Sequence, residues 1–308
     1  LMRMTKKKNN QMRSQKLKTA GFYTLLVILP LTQFVLFYVC VNFNSILLAL
    51  KSYDPLTLKV EKLGFQNFSQ IFYELGNQSI LPTAIKNSVI AFVINVAVGM
   101  SSGLIFSYYI FKKLPMSDFF KVVLFLPSIV SSIVMVIIFN SFVESTLPYL
   151  VKKTGGTMTG LLSNADTKFA TIIFYNLWIG FGTQILMYVG AMNNISDGVM
   201  EAAKMDGANS VEEFLFIVFP LVYPTVVVFI TVNIVSVFTN QLNLFSFYGK
   251  SADNDVITIG YYLYRGAQLG VIAEYPYYAA LGILCTLIAF PVTVLSRKLL
   301  NKFGPSED

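Results

Sequence analysis

Asn87 to Phe111 read NSVIAFVINVAVGMSSGLIFSYYIF, with no Asp, Glu, Lys or Arg inside the stretch and with Lys86 before it and Lys112 and Lys113 after it. About 20 predominantly apolar residues, rising 1.5 Å each, cross a hydrocarbon layer roughly 30 Å thick. Five other stretches have the same character: Phe22 to Val41, Phe119 to Phe142, Phe169 to Met192, Phe214 to Phe238 and Tyr277 to Leu295. The expected fold is therefore all-α, a polytopic membrane protein with six transmembrane helices.

Composition agrees. The 308 residues are 55% hydrophobic and only 13% charged, with a mean hydropathy of +0.63. A soluble domain carries about 25% charged residues to wet its surface. Arg3, Lys6, Lys7, Lys8, Arg13, Lys16 and Lys18 precede the first apolar run, as in a signal peptide, but the run continues through Leu50 without a small-residue cleavage pattern. It is expected to remain as a helix. An even number of spans puts both termini on one side. If that side is inside, 14 of the 23 Lys and Arg residues fall on inner segments, including the seven that open the chain. Both termini are then cytoplasmic, by the positive-inside rule. Residues 1–21, 193–213 and 296–308 become the principal cytoplasmic segments of a single transmembrane domain covering 1–308. The net charge of +7 reflects this topology and attraction to anionic membrane lipid, with no nucleic-acid partner.

Absences narrow the chemistry. The chain has no histidine, which excludes His-based triads, His-ligated metals and His proton relays. Cys40 and Cys285 are far apart and inside apolar runs, so no metal site or redox pair is expected. Gly249-Lys250 lacks the upstream glycine of a phosphate-binding loop. No cofactor and no catalytic residue are expected, and any nucleotide chemistry must lie on another polypeptide. The spans hold almost no ionisable groups, unlike proton-coupled or voltage-driven devices. They carry neutral polar residues instead: Asn95, Asn140, Asn176, Thr183, Gln184, Asn233, Ser236, Thr239 and Asn240. Such amides and hydroxyls suit a hydroxyl-rich solute, or they join helices by interhelical hydrogen bonds.

The connection between spans four and five reads ISDGVMEAAKMDGANSVEEFLFIVFPLVYPT from Ile195 to Thr225. Ser196 or Asp197 caps a short helix through Met205, and Gly207 supplies a left-handed stop. Ser210-x-x-Glu213 is the expected capping box of the helix that becomes span five. The short helix is expected to expose Val199, Met200, Ala202, Ala203 and Met205 as a small apolar knob for a protein partner.

These residues resemble the cytoplasmic signature of the inner-membrane permease subunits of binding-protein-dependent ABC importers. The signature is Glu-Ala-Ala, three residues, Gly, and later a Leu-Pro or Phe-Pro. Here it is Glu201-Ala202-Ala203-Lys204-Met205-Asp206-Gly207, followed by Phe219-Pro220. Asp206-Gly207-Ala208 and Pro224 make it similar to the carbohydrate-importing branch. Leu63 to Phe68, Leu124 to Pro127 with Ser131, and Asn176 to Phe181 extend the resemblance, notably to the maltose- and glycerol-phosphate-type first permease. The Thr-x-Gly-Gly-Pro turn common after span five is replaced by Phe247-Tyr248-Gly249-Lys250.

The resemblance implies a non-enzymatic transport subunit of a bacterial cell membrane. Its implied partners are a second homologous permease, two cytoplasmic ATPase subunits, an extracellular solute-binding protein and a carbohydrate substrate. Glu201, Ala202, Ala203, Met205, Asp206 and Gly207 would dock into the ATPase. Asn176, Trp178, Gly180, Thr183, Gln184, Asn233, Ser236, Phe238 and Asn240 would line the solute path. Asn176, Gly180 and Thr183 share one helix face, as do Asn233, Ser236 and Asn240. Trp178, Phe181 and Phe238 either stack on sugar rings or pack the bundle. Gly99-x-x-x-Gly103 reads as close helix packing. The alternatives are a permease of the same type for glycerol phosphate or another polar solute, and an ATP-independent channel or secondary transporter.

Overall fold

The computed structural model describes residues 19–53, 60–77 and 79–305. The basic N-terminal residues Arg3 to Lys18, and Lys59, lie outside the described residues. Six helices among them are long and apolar enough to cross a membrane: Thr19–Ala49, Ile80–Phe111, Ser132–Lys153, Ala165–Met192, Ser210–Tyr248 and Ile272–Phe303. They are numbered here as spans one to six, and the chain is a multi-pass membrane protein.

The third span is displaced from its expected position. Phe119 to Phe142 is not one helix: Ser117–Ile129 and Ser132–Ser141 are separate, because Val130 (φ −75, ψ 145) and Ser131 (φ −52, ψ 133) are extended. The crossing helix begins at Ser132 and continues to Lys153. Apolarity runs unbroken over the corner, so hydropathy alone merges the two.

The chain forms two compact units. The first comprises the described residues up to Phe68 together with Ile272–Ile283. In it, span one exposes its apolar side chains along most of its length, Leu25 by 73% for example. Strand β1 (Lys51–Tyr53) pairs antiparallel with β2 (Val60–Leu63). Asn67, in the segment Leu63 to Phe68, donates from Nδ2 to the carbonyls of Ala49 and Lys51, each at 2.8 Å. Its amide thus fixes the turn-out at the end of span one.

The second unit comprises Ser69–Val271 and the described residues from Leu284 onward. Three of its helices start on residues that accept from their own first turns: Ser79 from Leu81, Asn164 from Asp166, and Thr258 from Tyr261. The core joins spans two, four and five through Met100, Leu104, Tyr188, Met192, Val218, Val222 and Val226. Small residues set the approach distances. A Cβ on Gly99 would press on Asn95 and Leu177, and one on Gly103 would lie 3.2 Å from Gln184 Oε1, so the Gly99/Gly103 face packs on span four. A Cβ on Gly182 would run into the backbone of Leu124 and Phe125, which seats the Ser117–Ile129 helix directly against span four.

Candidate functional site

Two sites emerge within the second unit: a cavity between spans, and the loop between spans four and five.

The cavity measures about 200 Å³. Span two contributes Ser88, Ala91, Phe92 and Asn95; span four contributes Ile173, Asn176, Leu177, Gly180 and Gln184; span five contributes Ser236, Val237 and Asn240. Leu242 and Thr258 complete the lining, and none of these residues is charged. Asn176, Gly180 and Gln184 recur every fourth residue and so fall on one helix face. Thr183, expected on that face, is exposed outside the lining. Asn233 also departs from its expected place. It is 9% exposed, accepts from Asn95 Nδ2 at 2.5 Å and donates to the Phe229 carbonyl at 3.0 Å. Its amide joins spans two and five, and the members of the span-five stripe that line the cavity are Ser236 and Asn240.

The expected aromatic platforms lie elsewhere. Trp178 packs with Phe139 and Tyr175, with ring centroids 6.2 and 6.3 Å apart. Phe181 packs against Phe106, and Phe238 is absent from the lining. The aromatic side chain in the cavity wall is Phe92, which sequence reading missed together with Ser88 and Ala91; of span two's contribution it named Asn95 alone, as a polar residue of the span. The available signal was the helical spacing of Ser88, Ala91 and Asn95 on one face.

A strained turn interrupts span five after Thr239, beside the cavity. Leu242 and Asn243 have φ of 49 and 54, a left-handed conformation that costs a side-chain-bearing residue of order 1–3 kcal/mol. Three contacts hold it. Asn240 Oδ1 accepts from the Leu242 amide at 2.8 Å, Asn176 Nδ2 donates to the Leu242 carbonyl at 2.9 Å, and Asn243 Nδ2 donates to Asn176 Oδ1 at 2.8 Å. By contrast, Gln184 Oε1 is buried without a hydrogen-bond partner among the described residues.

The loop contains a helix at Asp197–Met205. Asp197 in its first turn and Lys204 in its last complement the helix dipole. It ends in a Schellman arrangement: Gly207 at φ 79 donates to the Lys204 carbonyl (3.1 Å), and Ala208 donates to the Ala203 carbonyl (3.1 Å). Met200 and Ala203 are buried, 8% and 5% exposed, which corrects the expectation that both face outward. Met200 joins the core around Met100, Leu104 and Tyr188, anchoring the helix. Its outward face is Gly198, Glu201, Ala202 and Met205, with Val199, Lys204, Asp206 and Gly207 also exposed.

The capping box also sits one residue earlier than expected. Asn209 Oδ1 accepts from the Val211 and Glu212 amides at 3.0 Å, and Glu212 Oε2 accepts from the Asn209 amide at 2.9 Å. Asn209 already has the extended backbone of a cap, so Ser210 is the first helical residue. Glu213 is thereby released from capping. It is 3% exposed, with Lys112 Nζ 2.8 and 2.9 Å from its two oxygens. The Tyr108 hydroxyl donates to Glu213 Oε1 at 2.8 Å.

A multi-pass membrane bundle with an uncharged polar cavity, and a small helix displayed on the connection into its fifth span, defines a membrane permease component. Residues 95–303 match the family described as "Binding-protein-dependent transport system inner membrane component", and the chain belongs to that family. Among its relatives, the arabinooligosaccharides transport system permease protein AraP of Bacillus subtilis is 28% identical over 62% of each chain, so this chain spans about three fifths of AraP in that match. The multiple sugar-binding transport system permease protein MsmF of Streptococcus mutans is 23% identical over 90% of this chain and 94% of its own. A crystal structure of a bacterial ABC transporter involved in import of the acidic polysaccharide alginate shares the fold. One of its chains superposes with a TM-score of 0.80 at 17% identity, covering 94% of this chain and 98% of that one.

Proposed function

We propose that this chain is a permease subunit of an ATP-driven ABC importer and passes an uncharged saccharide across the bacterial cell membrane. The observation that carries this reading is the cavity wall: side-chain amides of Asn95, Asn176, Gln184 and Asn240, hydroxyls of Ser88, Ser236 and Thr258, and no ionic group. Amides and hydroxyls both donate and accept, so the hydrogen-bonding capacity they do not use within the bundle matches a sugar's hydroxyls. A charged cargo at membrane depth calls for a counter-charge that this wall does not offer. The sugar-transport roles in the names of AraP and MsmF support the same substrate class.

At about 200 Å³ the cavity is smaller than the roughly 300–1,000 Å³ of typical ligand sites. This favours a path completed by a second, homologous permease. The membership of a binding-protein-dependent family supports delivery by an extracellular solute-binding protein. One of the two ATPase subunits would dock on Glu201, Ala202, Met205, Asp206 and Gly207, with Ala203 setting the close seating of that helix on the bundle. Hydrolysis belongs to those partners, and both termini of this chain face them in the cytoplasm.

The test is copurification followed by uptake. The tagged chain, expressed with its neighbouring transport genes, should carry an ATPase through detergent extraction and drive ATP-dependent accumulation of a neutral oligosaccharide in proteoliposomes. Isolation without any ATPase, together with uptake indifferent to ATP, overturns the reading.

A further inference from the structure

The Glu213 carboxylate belongs neither to the cavity nor to the outward face of the loop helix, yet it is the most deeply buried ion-paired group among the described residues, at 3% exposure. Its partners come from the end of span two. Lys112 spans both carboxylate oxygens at 2.8 and 2.9 Å, and Tyr108 donates to it at 2.8 Å. The Tyr108 hydroxyl also lies 3.0 Å from the Ser210 carbonyl oxygen, and its ring meets Phe214 at 5.0 Å. The loop helix connects covalently to spans four and five only. This cluster ties the first turns of span five, directly after the loop, to the end of span two.

Span two is helical from Ile80 to Phe111, and the same helix supplies Ser88, Ala91, Phe92 and Asn95 to the cavity. Lys112, directly after the last helical residue, and Asn95, near the middle of the span, thus lie about 25 Å apart along one helix at 1.5 Å per residue. Met200, packed with Met100 and Leu104 on span two, forms a second attachment. Apolar contacts slide, whereas a desolvated carboxylate stays with its donors because parting leaves a buried charge uncompensated. The loop and span two therefore move as one body where this pair holds them.

We propose that Lys112 and Glu213 are the positioning pair through which the coupling loop moves the span-two wall of the cavity. The proposal rests on the reading of the loop as the ATPase-docking element and identifies the residues that carry its motion inward.

The test uses the complete transporter, with both permeases, the ATPases and the solute-binding protein, in proteoliposomes. Glu213→Gln keeps the shape and removes the charge. Lys112→Glu combined with Glu213→Lys restores a pair in reverse. Solute delivered per ATP hydrolysed is the readout, with retention of the ATPases on the purified complex as the control. Glu213→Gln is expected to retain the ATPases and hydrolyse ATP while delivering about tenfold less solute per ATP, the scale of an ordinary inter-site coupling energy. The reversed pair is expected to recover most of that ratio. An unchanged ratio in Glu213→Gln overturns the proposal. So does equal loss of hydrolysis and transport, or failure of the variant to assemble, since either makes the pair merely structural. A wild-type complex that retains no ATPase overturns the docking reading itself, whereas a coupled wild type with a coupled Glu213→Gln overturns the pair alone.

Discussion

Asn176 holds Leu242 in place: its Nδ2 donates to the Leu242 carbonyl at 2.9 Å while its Oδ1 accepts from Asn243 Nδ2 at 2.8 Å. One side-chain amide therefore both lines the cavity and restrains a turn whose two central residues are left-handed without being glycine. Replacing it by alanine leaves the Leu242 carbonyl without that donor and the strain without its restraint. Asn176→Ala should lower the unfolding free energy by about 1–3 kcal/mol, the penalty of stranding a buried polar group. Thermal unfolding of the detergent-purified chain reads this directly. An unchanged midpoint with lost uptake would assign Asn176 to solute contact alone.

Gly180 and Gly182 lie two residues apart on span four and should respond oppositely to a methyl group. A Cβ at Gly180 meets nothing within 4 Å and enters the cavity wall, whereas at Gly182 it strikes the Leu124 and Phe125 backbone. Backbone cannot rotate aside as a side chain can, so Gly182→Ala should destabilise by about 1–3 kcal/mol through overpacking. Gly180→Ala should unfold like the parent and slow solute uptake. Paired melting curves and uptake rates check both, and equal stability of the two variants would contradict the close seating of the Ser117–Ile129 helix.

The six-helix architecture was legible because a lipid solvent demands long uninterrupted apolar runs, and Ile80–Phe111 and Ala165–Met192 fall close to where such runs place them. The break at Val130–Ser131 was not, since backbone torsion leaves no trace in hydropathy. The loop helix, its Gly207 stop and the Asn176/Gly180 face followed from local rules of spacing and handedness. Burial of Met200 and Ala203 did not, because which side of an amphipathic turn meets the bundle is decided by tertiary packing, for Met200 in the core with Met100 and Leu104. The same limit explains Asn233. A polar residue at the right spacing can point at a solute or at another amide, and only the position of Asn95 decides between them.

Gly207 should tolerate no branched side chain. At φ 79 a residue with a Cβ pays about 1–2 kcal/mol in the left-handed region, and the Schellman bonds to Ala203 and Lys204 orient the exposed face of the loop helix. Space is not the obstacle, because nothing lies within 4 Å of a Cβ there. Gly207→Val should therefore insert normally yet retain little ATPase on copurification. Gly207→Asn, whose side chain is better accommodated in that region, should retain much more. Equal retention by the two variants would remove backbone handedness as the determinant of docking.

Gln184 offers the sharpest separation of stability from transport. Its Oε1 is buried with no partner among the described residues, beside the Cα of Gly103, and the residue lines the cavity. An unpaired buried acceptor is a liability to the folded state of about 1–3 kcal/mol. Methionine has nearly the same length and shape and carries no demand for a donor. Gln184→Met should consequently melt at or above the parent temperature while delivering less solute, because the cavity wall has lost one of its amide side chains. A drop in both stability and uptake would mean that the amide is paired inside the bundle, and that the solute finds its acceptors in Asn240 and Ser236 instead.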